Sequence, residues 1–226
     1  MNRIFDIDNP VWNAFSKLFD LIILNILFLL TCIPVVTIGN SITALYYTTL
    51  RMTSKRLTYA TSEYWKSWKE NFKQGLLCEV LLFDIGVMLA VGTYFSFVTG
   101  AYYGKVIFVM LDVMAVAVAS YVFPLLAKFQ MTTAQLFRSS VLMAVRYLPF
   151  TILNVVIILG SIYFTYQSFL VFLIMLVVGC SAVCVLQSVW FNYIFNQFTP
   201  EEEHARDRIY QQEEEQAKRE KQKMYR

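Results

Sequence analysis

The stretch from Leu18 to Val36, LFDLIILNILFLLTCIPVV, determines the class of this protein because it is apolar over the length of a bilayer crossing. An α-helix rises about 1.5 Å per residue, so a hydrocarbon core of roughly 30 Å needs about 20 apolar residues. Similar stretches follow at Leu76–Val98, Val106–Ala127, Pro149–Tyr166 and Phe169–Ile194. The sequence therefore predicts an all-α, polytopic membrane protein with about five transmembrane helices.

The composition agrees with a membrane protein. Of 226 residues, 58% are hydrophobic and 15% charged, whereas soluble domains have roughly 45–50% apolar and about 25% charged residues. We predict one helical transmembrane domain over residues 1–198 and a charged, helical cytoplasmic tail over 199–226. The charged residues Arg3, Asp6 and Asp8 precede the first apolar stretch, so we expect that stretch to be retained rather than cleaved as a signal peptide.

The distribution of basic residues predicts the orientation. Loops rich in Lys and Arg stay on the cytoplasmic side, and two connections have this character. Their basic residues are Arg51, Lys55, Arg56, Lys66, Lys69 and Lys73 in one, and Lys128, Arg138 and Arg146 in the other. The connections 99–104 and 166–168 hold no charge and suit the outer face. We therefore expect a multi-pass membrane protein with its amino terminus outside and its tail in the cytoplasm.

The segment from Thr37 to Leu50 admits two interpretations. It is too apolar for an ordinary loop, yet it contains several Thr, Ser and Asn residues. Either the first helix kinks at Pro34 and continues toward the cytoplasm, or a separate helix turns back, which gives six crossings and an internal amino terminus. The kinked continuation is the favoured alternative.

Two regions share a layout of aromatic, basic and Ser residues followed by entry into a span. Trp65-Lys66-Ser67 corresponds to Phe137-Arg138-Ser139 in this comparison. Such repeats are common in transport proteins. The sequence is thus compatible with a duplicated two-helix unit.

An amphipathic helix is predicted between Ser62 and Gly75. Its aromatic residues Trp65, Trp68 and Phe72 recur at helical spacing, and Lys66, Lys69 and Lys73 flank them. Indole rings favour the membrane interface and lysines favour anionic headgroups. We expect this helix to lie on the inner leaflet, with a docking surface as the alternative.

Residues that could carry catalysis are scarce. The only histidine, His204, lies in the tail, and the four cysteines, Cys32, Cys78, Cys180 and Cys184, form no C-x-x-C pair. Asp84 and Asp112 fall inside predicted spans, where ionisable residues are costly. Structural hydrogen bonding is the favoured interpretation, and contact with a partner subunit and an ion or proton relay are the alternatives. Their predicted depths differ, which disfavours a carboxylate pair. We expect no enzyme activity, no cofactor, no metal site and no nucleic-acid partner.

Parts of the chain resemble the YesL family of bacterial integral membrane proteins. The most specific segments are LNILF at 24–28, IPVVTIG at 33–39 and ALYY at 44–47, and smaller ones are Phe5, DNP at 8–10 and WKENFKQ at 68–74. The resemblance implies a protein of Gram-positive bacteria, encoded near carbohydrate ABC importers and sensor kinases. It supplies no catalytic residues.

The resemblance implies an accessory membrane subunit that associates with the permeases of a carbohydrate ABC importer and supports its assembly, stability or regulation. The expected assembly contains membrane lipid, permease subunits, an ATPase and a sugar-binding lipoprotein. We take Asn25, Pro34, Thr37 and Gly39 as partner-packing candidates because they form a kinked, small-residue surface. The alternatives are an autonomous small transporter or permease and a membrane component that signals to a sensor kinase.

The permease alternative can be compared with a known motif. Importer permeases present an E-A-A-x-x-x-G loop to their ATPase, and here Thr133-Ala134-Gln135 precedes Leu148-Pro149 without the Glu and the Gly. This difference favours the accessory role.

Overall fold

A computed structural model describes residues 10–54 and 59–198, with side chains from Ser16 onward. Within these ranges the chain forms eight helices and no strand. They are α1 (Pro10–Thr31), α2 (Ile38–Thr53), α3 (Ala60–Glu70), α4 (Phe72–Val98), α5 (Tyr102–Lys128), α6 (Thr133–Arg146), α7 (Leu148–Gln167) and α8 (Phe169–Asn196). A 3-10 turn at Val35–Thr37 precedes α2, and α8 contains a π-helical segment at Met175–Gly179.

Among the described residues, four helices, α4, α5, α7 and α8, are long and apolar enough to cross a membrane. Only 11–22% of the most apolar part of each is buried inside the protein. Lipid can cover apolar side chains such as these, and each helix satisfies its own backbone polar groups. Helices of this kind are therefore stable in a membrane. The predicted all-α, polytopic membrane fold is confirmed, and four of the five predicted stretches are continuous helices.

The first predicted stretch, Leu18–Val36, is divided, so the favoured kinked continuation is wrong. Helix α1 ends at Thr31, and Pro34 has an extended backbone with φ −75° and ψ 115°. Proline has no N–H, and its ring disfavours helical geometry in the preceding residue. The Thr37 hydroxyl donates to the carbonyl oxygens of Thr31 (2.6 Å) and Pro34 (2.8 Å), so the interruption is hydrogen-bonded.

The helix bundle has two ends, here called the hairpin end and the basic end. The hairpin end carries the tight turns at 99–101 and Ser168, where α4 meets α5 and α7 meets α8. At the basic end α4 begins beside the end of α5, since the Gln74 side chain donates to the Met131 carbonyl oxygen. The end of α8 lies there too, with Lys128 Nζ 3.4 Å from Asn196 Oδ1.

Helix α2 lies across the bundle near the basic end and forms the core of the protein. Asn40, at its start, lies against Gly75 near the beginning of α4. The carbonyl of Leu50, near its other end, accepts a hydrogen bond from Asn192 near the end of α8. Helix α2 contacts α3, α4, α5 and α8, and most of its residues from Gly39 to Leu50 are buried. It is a separate helix, but it is not one of the membrane-spanning candidates.

The layout of a short helix followed at once by a span occurs twice, as α3–α4 and as α6–α7. A single residue, Asn71 or Tyr147, separates the two helices in each case. When the two helix pairs are aligned at these breaks, Ser67 and Ser139, which the sequence comparison matched, lie about one helical turn apart. The architecture therefore repeats, whereas the aligned residues do not occupy the same positions.

Candidate functional site

A cluster of buried polar side chains, here called the polar hub, joins α2 to α8. It consists of Tyr46, Thr49, Gln187, Ser188 and Asn192. The Tyr46 hydroxyl donates to Gln187 Oε1 at 2.5 Å, and the hydroxyls of Thr49 and Ser188 are 2.9 Å apart. Asn192 Nδ2 donates to the Leu50 carbonyl oxygen at 2.9 Å. Interhelical hydrogen bonds of this kind contribute about 0.6–2 kcal/mol each in membrane proteins, so the hub holds α2 in place.

Two amide atoms of the polar hub, Gln187 Nε2 and Asn192 Oδ1, have no hydrogen-bond partner among the described residues. Both atoms of the Asn154 side chain on α7 are in the same condition. Buried amides are usually satisfied by protein groups or internal water. These positions therefore suit bound water.

Asn25, predicted as a partner-packing residue, binds the π-helical segment of α8. Its Nδ2 donates to the carbonyl oxygens of Leu176 (2.7 Å) and Met175 (3.2 Å), and its Oδ1 accepts from the Ser181 N–H at 3.1 Å. A π-helical segment interrupts the regular i→i−4 hydrogen-bond ladder. Asn25 satisfies backbone groups at this interruption and is itself fully buried.

Thr37 and Gly39, also predicted for partner packing, are buried as well. The N–H of Gly39 donates to Glu79 Oε2 at 2.9 Å, so a carboxylate lies at the positive end of the α2 dipole. A Cβ on Gly39 would lie 2.8 Å from Phe123 Cε1 and 2.9 Å from Glu79 Cβ. Glycine is therefore required for the close approach of α2 to α4 and α5.

Of the four partner-packing candidates, only Pro34 is exposed. Its apolar neighbours Ile33, Val35 and Val36 are exposed at 74%, 71% and 61%. Asn25, Thr37 and Gly39 make contacts within the chain. Of these four candidates, a partner can therefore reach only Pro34, together with its exposed apolar neighbours.

The predicted amphipathic helix is shorter than expected, because α3 ends at Glu70 and Phe72 already belongs to α4. Tyr64 and Ser67 on α3 are buried against the rest of the fold. The Tyr64 hydroxyl is 2.6 Å from Thr31 Oγ1, and burial raises the pKa of Tyr64 to about 12. Helix α3 is thus anchored to α1 and α2 through its inner face.

The aromatic residues of the predicted amphipathic segment stack in a row. The ring centroids of Trp65 and Trp68 are 5.6 Å apart, and those of Trp68 and Phe72 are 5.0 Å apart. Trp65 is exposed, whereas Trp68 packs against the core. The row therefore leads from the surface into the protein. Lys66, Lys69 and Lys73 are all exposed.

A groove of about 1230 Å³ opens at the basic end among the end of α3, the start of α4, the end of α5 and the start of α6. Lys66, Lys73 and Lys128 line it, with Glu70 as the acidic lining residue. Gln135 also lines the groove, and its Oε1 accepts from the Thr132 N–H in a capping box at the start of α6. Thr133-Ala134-Gln135, compared above with the permease loop, thus lies at a capped helix start beside a cationic groove.

The two intramembrane aspartates are not brought together. Asp112 on α5 accepts a hydrogen bond from the Thr93 hydroxyl of α4 at 2.6 Å. Asp84 lies nine residues before Thr93 on the same helix, about 13 Å away along the axis. Asp84 is exposed and makes no hydrogen bond or ion pair with any residue that the structure describes. A charged side chain near the bilayer centre costs about 3 kcal/mol on insertion scales, so Asp84 is the unusual residue of the pair.

No group of three or more His, Cys, Asp or Glu residues that could hold a metal ion occurs in ranges 10–54 and 59–198. The charged tail, residues 199–226, and its single histidine lie outside the described residues.

Comparison with known proteins gives one finding. Residues 21–93 match the family described as "Protein of unknown function, DUF624". The matched region contains half of α1, all of α2 and α3 and most of α4, including Asn25, Gly39, Glu79 and Asp84. Curated proteins give no match, and neither do solved structures.

Sequence reasoning missed the polar hub and the role of Glu79. A signal for the hub existed in the sequence, because Gln187, Ser188 and Asn192 are polar residues within an otherwise apolar span. Polar residues in spans commonly bond to neighbouring helices. Their partners on α2 could not be assigned, because α2 itself was not recognised as a separate buried helix.

Proposed function

We propose that this protein is an accessory membrane subunit that binds the permease subunits of a carbohydrate ABC importer and supports their assembly, stability or regulation. The resemblance of residues 24–47 to the YesL family supports the class of partner. The match of residues 21–93 to a family of unknown function is compatible with that resemblance.

The observation that carries the proposal is the uncovered state of the α4–α5 hairpin. No residue of α4 from Glu79 to Phe95 is buried. On α5, the first buried residue is Ala117. The two helices pack on each other through Gly92, whose Cα lies against Phe108. Half of the hairpin thus has large apolar surfaces outside the core. Surfaces of this kind suit lateral packing against other membrane helices.

The buried polar groups support the same proposal. The side chains of Asn25, Tyr46 and Thr49 are bonded within the chain and stabilise the arrangement of its own helices. A rigid core beside an uncovered hairpin is suited to a protein that acts by packing against its neighbours.

Affinity purification from the native membrane tests the proposal. The protein, tagged and expressed at its natural level, is extracted in a mild detergent, and its partners are identified by mass spectrometry. We expect permease subunits and an ATPase in amounts comparable to the tagged chain. An unrelated polytopic membrane protein with the same tag is the control for nonspecific capture.

Two other results would replace the proposal. A homo-oligomer without partners that moves sugar into liposomes would make the protein an autonomous transporter. Recovery of a sensor kinase in place of the permeases would favour the signalling alternative.

A further inference from the structure

Asp84 lies in the middle of a membrane span and on its outer surface. It follows Phe72, the first residue of α4, by twelve positions and precedes Val98, the last, by fourteen. At about 1.5 Å per residue it is roughly 18 Å from the first residue of the helix and roughly 21 Å from the last. An aspartate side chain is too short to reach lipid headgroups from that depth, unlike a lysine or an arginine.

The surroundings of Asp84 on α4 are apolar and exposed. Residues at helical spacing from it form one stripe along the helix: Val80, Val87, Met88 and Val91, exposed at 48%, 47%, 78% and 62%. Helix α5 packs on a different side of α4, where Thr93 bonds Asp112 and Gly92 lies against Phe108. The stripe with Asp84 at its centre therefore faces away from the rest of the described chain.

Asp112 shows how this chain treats an intramembrane carboxylate that belongs to its own fold. It is half-buried and accepts a hydrogen bond from Thr93. Asp84 has no such partner among the residues that the structure describes. Because lipid offers no donor at this depth, the group that complements Asp84 has to come from another membrane helix.

The four membrane-crossing helices of a second copy supply no cation at the depth of Asp84. In the four spans the basic residues are Lys73, Lys105 and Lys128, all within about one turn of a helix end. Two copies related by an axis along the membrane normal bring equal depths together, so Asp84 would meet Asp84. Like charges in lipid repel, and a heteromeric partner is favoured.

We propose that the Asp84 stripe of α4 is the docking surface for a transmembrane helix of another protein that carries an Arg or Lys at the centre of the membrane. The apolar residues of the stripe pack against that helix, and the ion pair determines its depth and identity. This inference deepens the proposed function, on which it rests for the class of the partner, but its chemistry concerns Asp84 alone.

Site-specific crosslinking tests the proposal in native membranes. A photoreactive amino acid at Met88, one turn from Asp84, is expected to crosslink a different membrane protein, and peptide mapping should find a basic residue in the middle of the crosslinked span. Asp84→Leu should lower crosslinking and co-purification on the order of tenfold or more, because it leaves the partner's cation unpaired. Asp112→Asn, which keeps an acceptor for Thr93, is the matched control and should leave both signals unchanged.

A charge exchange completes the test. Replacing the mapped basic residue of the partner by Asp should abolish crosslinking to the natural chain, and Asp84→Lys should restore it. Equal thermal stability of the Asp84 variants in detergent shows that they fold. Crosslinks only between copies of this chain, only to lipid, or undiminished in Asp84→Leu would overturn the proposal.

The results also separate the two proposals. If permeases co-purify equally with natural protein and Asp84→Leu, the accessory function stands and the docking surface is wrong. If Met88 crosslinks a basic span of a protein unrelated to sugar import, and Asp84→Leu abolishes it, the docking surface stands and the importer assignment is wrong.

Discussion

The hydroxyl of Tyr46 on α2 donates to the side-chain oxygen of Gln187 on α8 at a distance of 2.5 Å, inside the core of the protein. The two residues are 141 positions apart in the chain. This bond connects the polar helix that lies across the basic end to the last membrane span. Its energy is directly testable.

Tyr46→Phe is expected to lower the free energy of unfolding by about 1–2 kcal/mol, because it leaves the buried Gln187 oxygen without a donor. Thermal denaturation in detergent measures the change. Tyr163→Phe, at a ring that is 62% exposed, serves as the control and should be neutral. The double variant Tyr46→Phe with Gln187→Leu should lose less free energy of unfolding than the sum of the two single losses. A loss equal to that sum would show that the bond contributes nothing.

Asn25→Leu is expected to destabilise the protein by about 2–3 kcal/mol. The change retains the size of the side chain and removes two hydrogen bonds to the π-helical segment of α8 and one from Ser181, which follows that segment. Hydrogen exchange of the Ser181 amide should rise in the variant. Ile26→Ala, at the adjacent exposed position, is the control. Unchanged hydrogen exchange of the Ser181 amide would argue against the hydrogen bonding of Asn25 to α8.

Gly39→Ala and Gly86→Ala form a matched pair of substitutions. A Cβ at Gly39 falls 2.8 Å from the Phe123 ring, whereas a Cβ at Gly86 has no heavy atom within 4 Å. We expect Gly39→Ala to cost about 1–3 kcal/mol through overpacking and Gly86→Ala to leave stability unchanged or slightly higher. The melting temperatures of the two purified variants test this expected difference in stability, and equal values would contradict the close packing of α2.

The predicted orientation has its own experiment, which uses cysteine labelling in whole cells with the four natural cysteines replaced. Ala101→Cys, at the hairpin end, should react with an impermeant reagent from outside, and Gln130→Cys, at the basic end, should react only after permeabilisation, because basic loops remain in the cytoplasm. Asn2→Cys should also react from outside if the amino terminus has its predicted location. The reverse pattern at positions 101 and 130 would invert the whole topology.

The spans were predictable because hydropathy and length are local properties. A run such as Val106–Ala127 has to be helical in lipid regardless of its neighbours, since only a helix satisfies its backbone there. The interruption near Pro34 was also visible in the sequence, but its consequence was not. Whether a proline kinks a helix or ends it depends on which groups bond the freed carbonyls, and here Thr37 does so.

The candidate sites were less predictable. Asn25 was predicted to pack against a partner, but the structure shows it bonded to a segment of the same chain 150 positions away. Asp84 and Asp112 look alike in the sequence, and the structure separates them because Thr93 of α4 donates to Asp112 of α5, whereas Asp84 is exposed.

The sequence by itself determined that the chain is helical, that lipid covers its spans and that its basic loops lie together at one end, because these properties follow from residue composition over a single turn or a single span. Only the tertiary structure decided that α2 is buried across that end, which polar side chains bond each other, and that Asp84 faces away from the fold. Those outcomes depend on distances between helices remote in sequence, and no local pattern contains them.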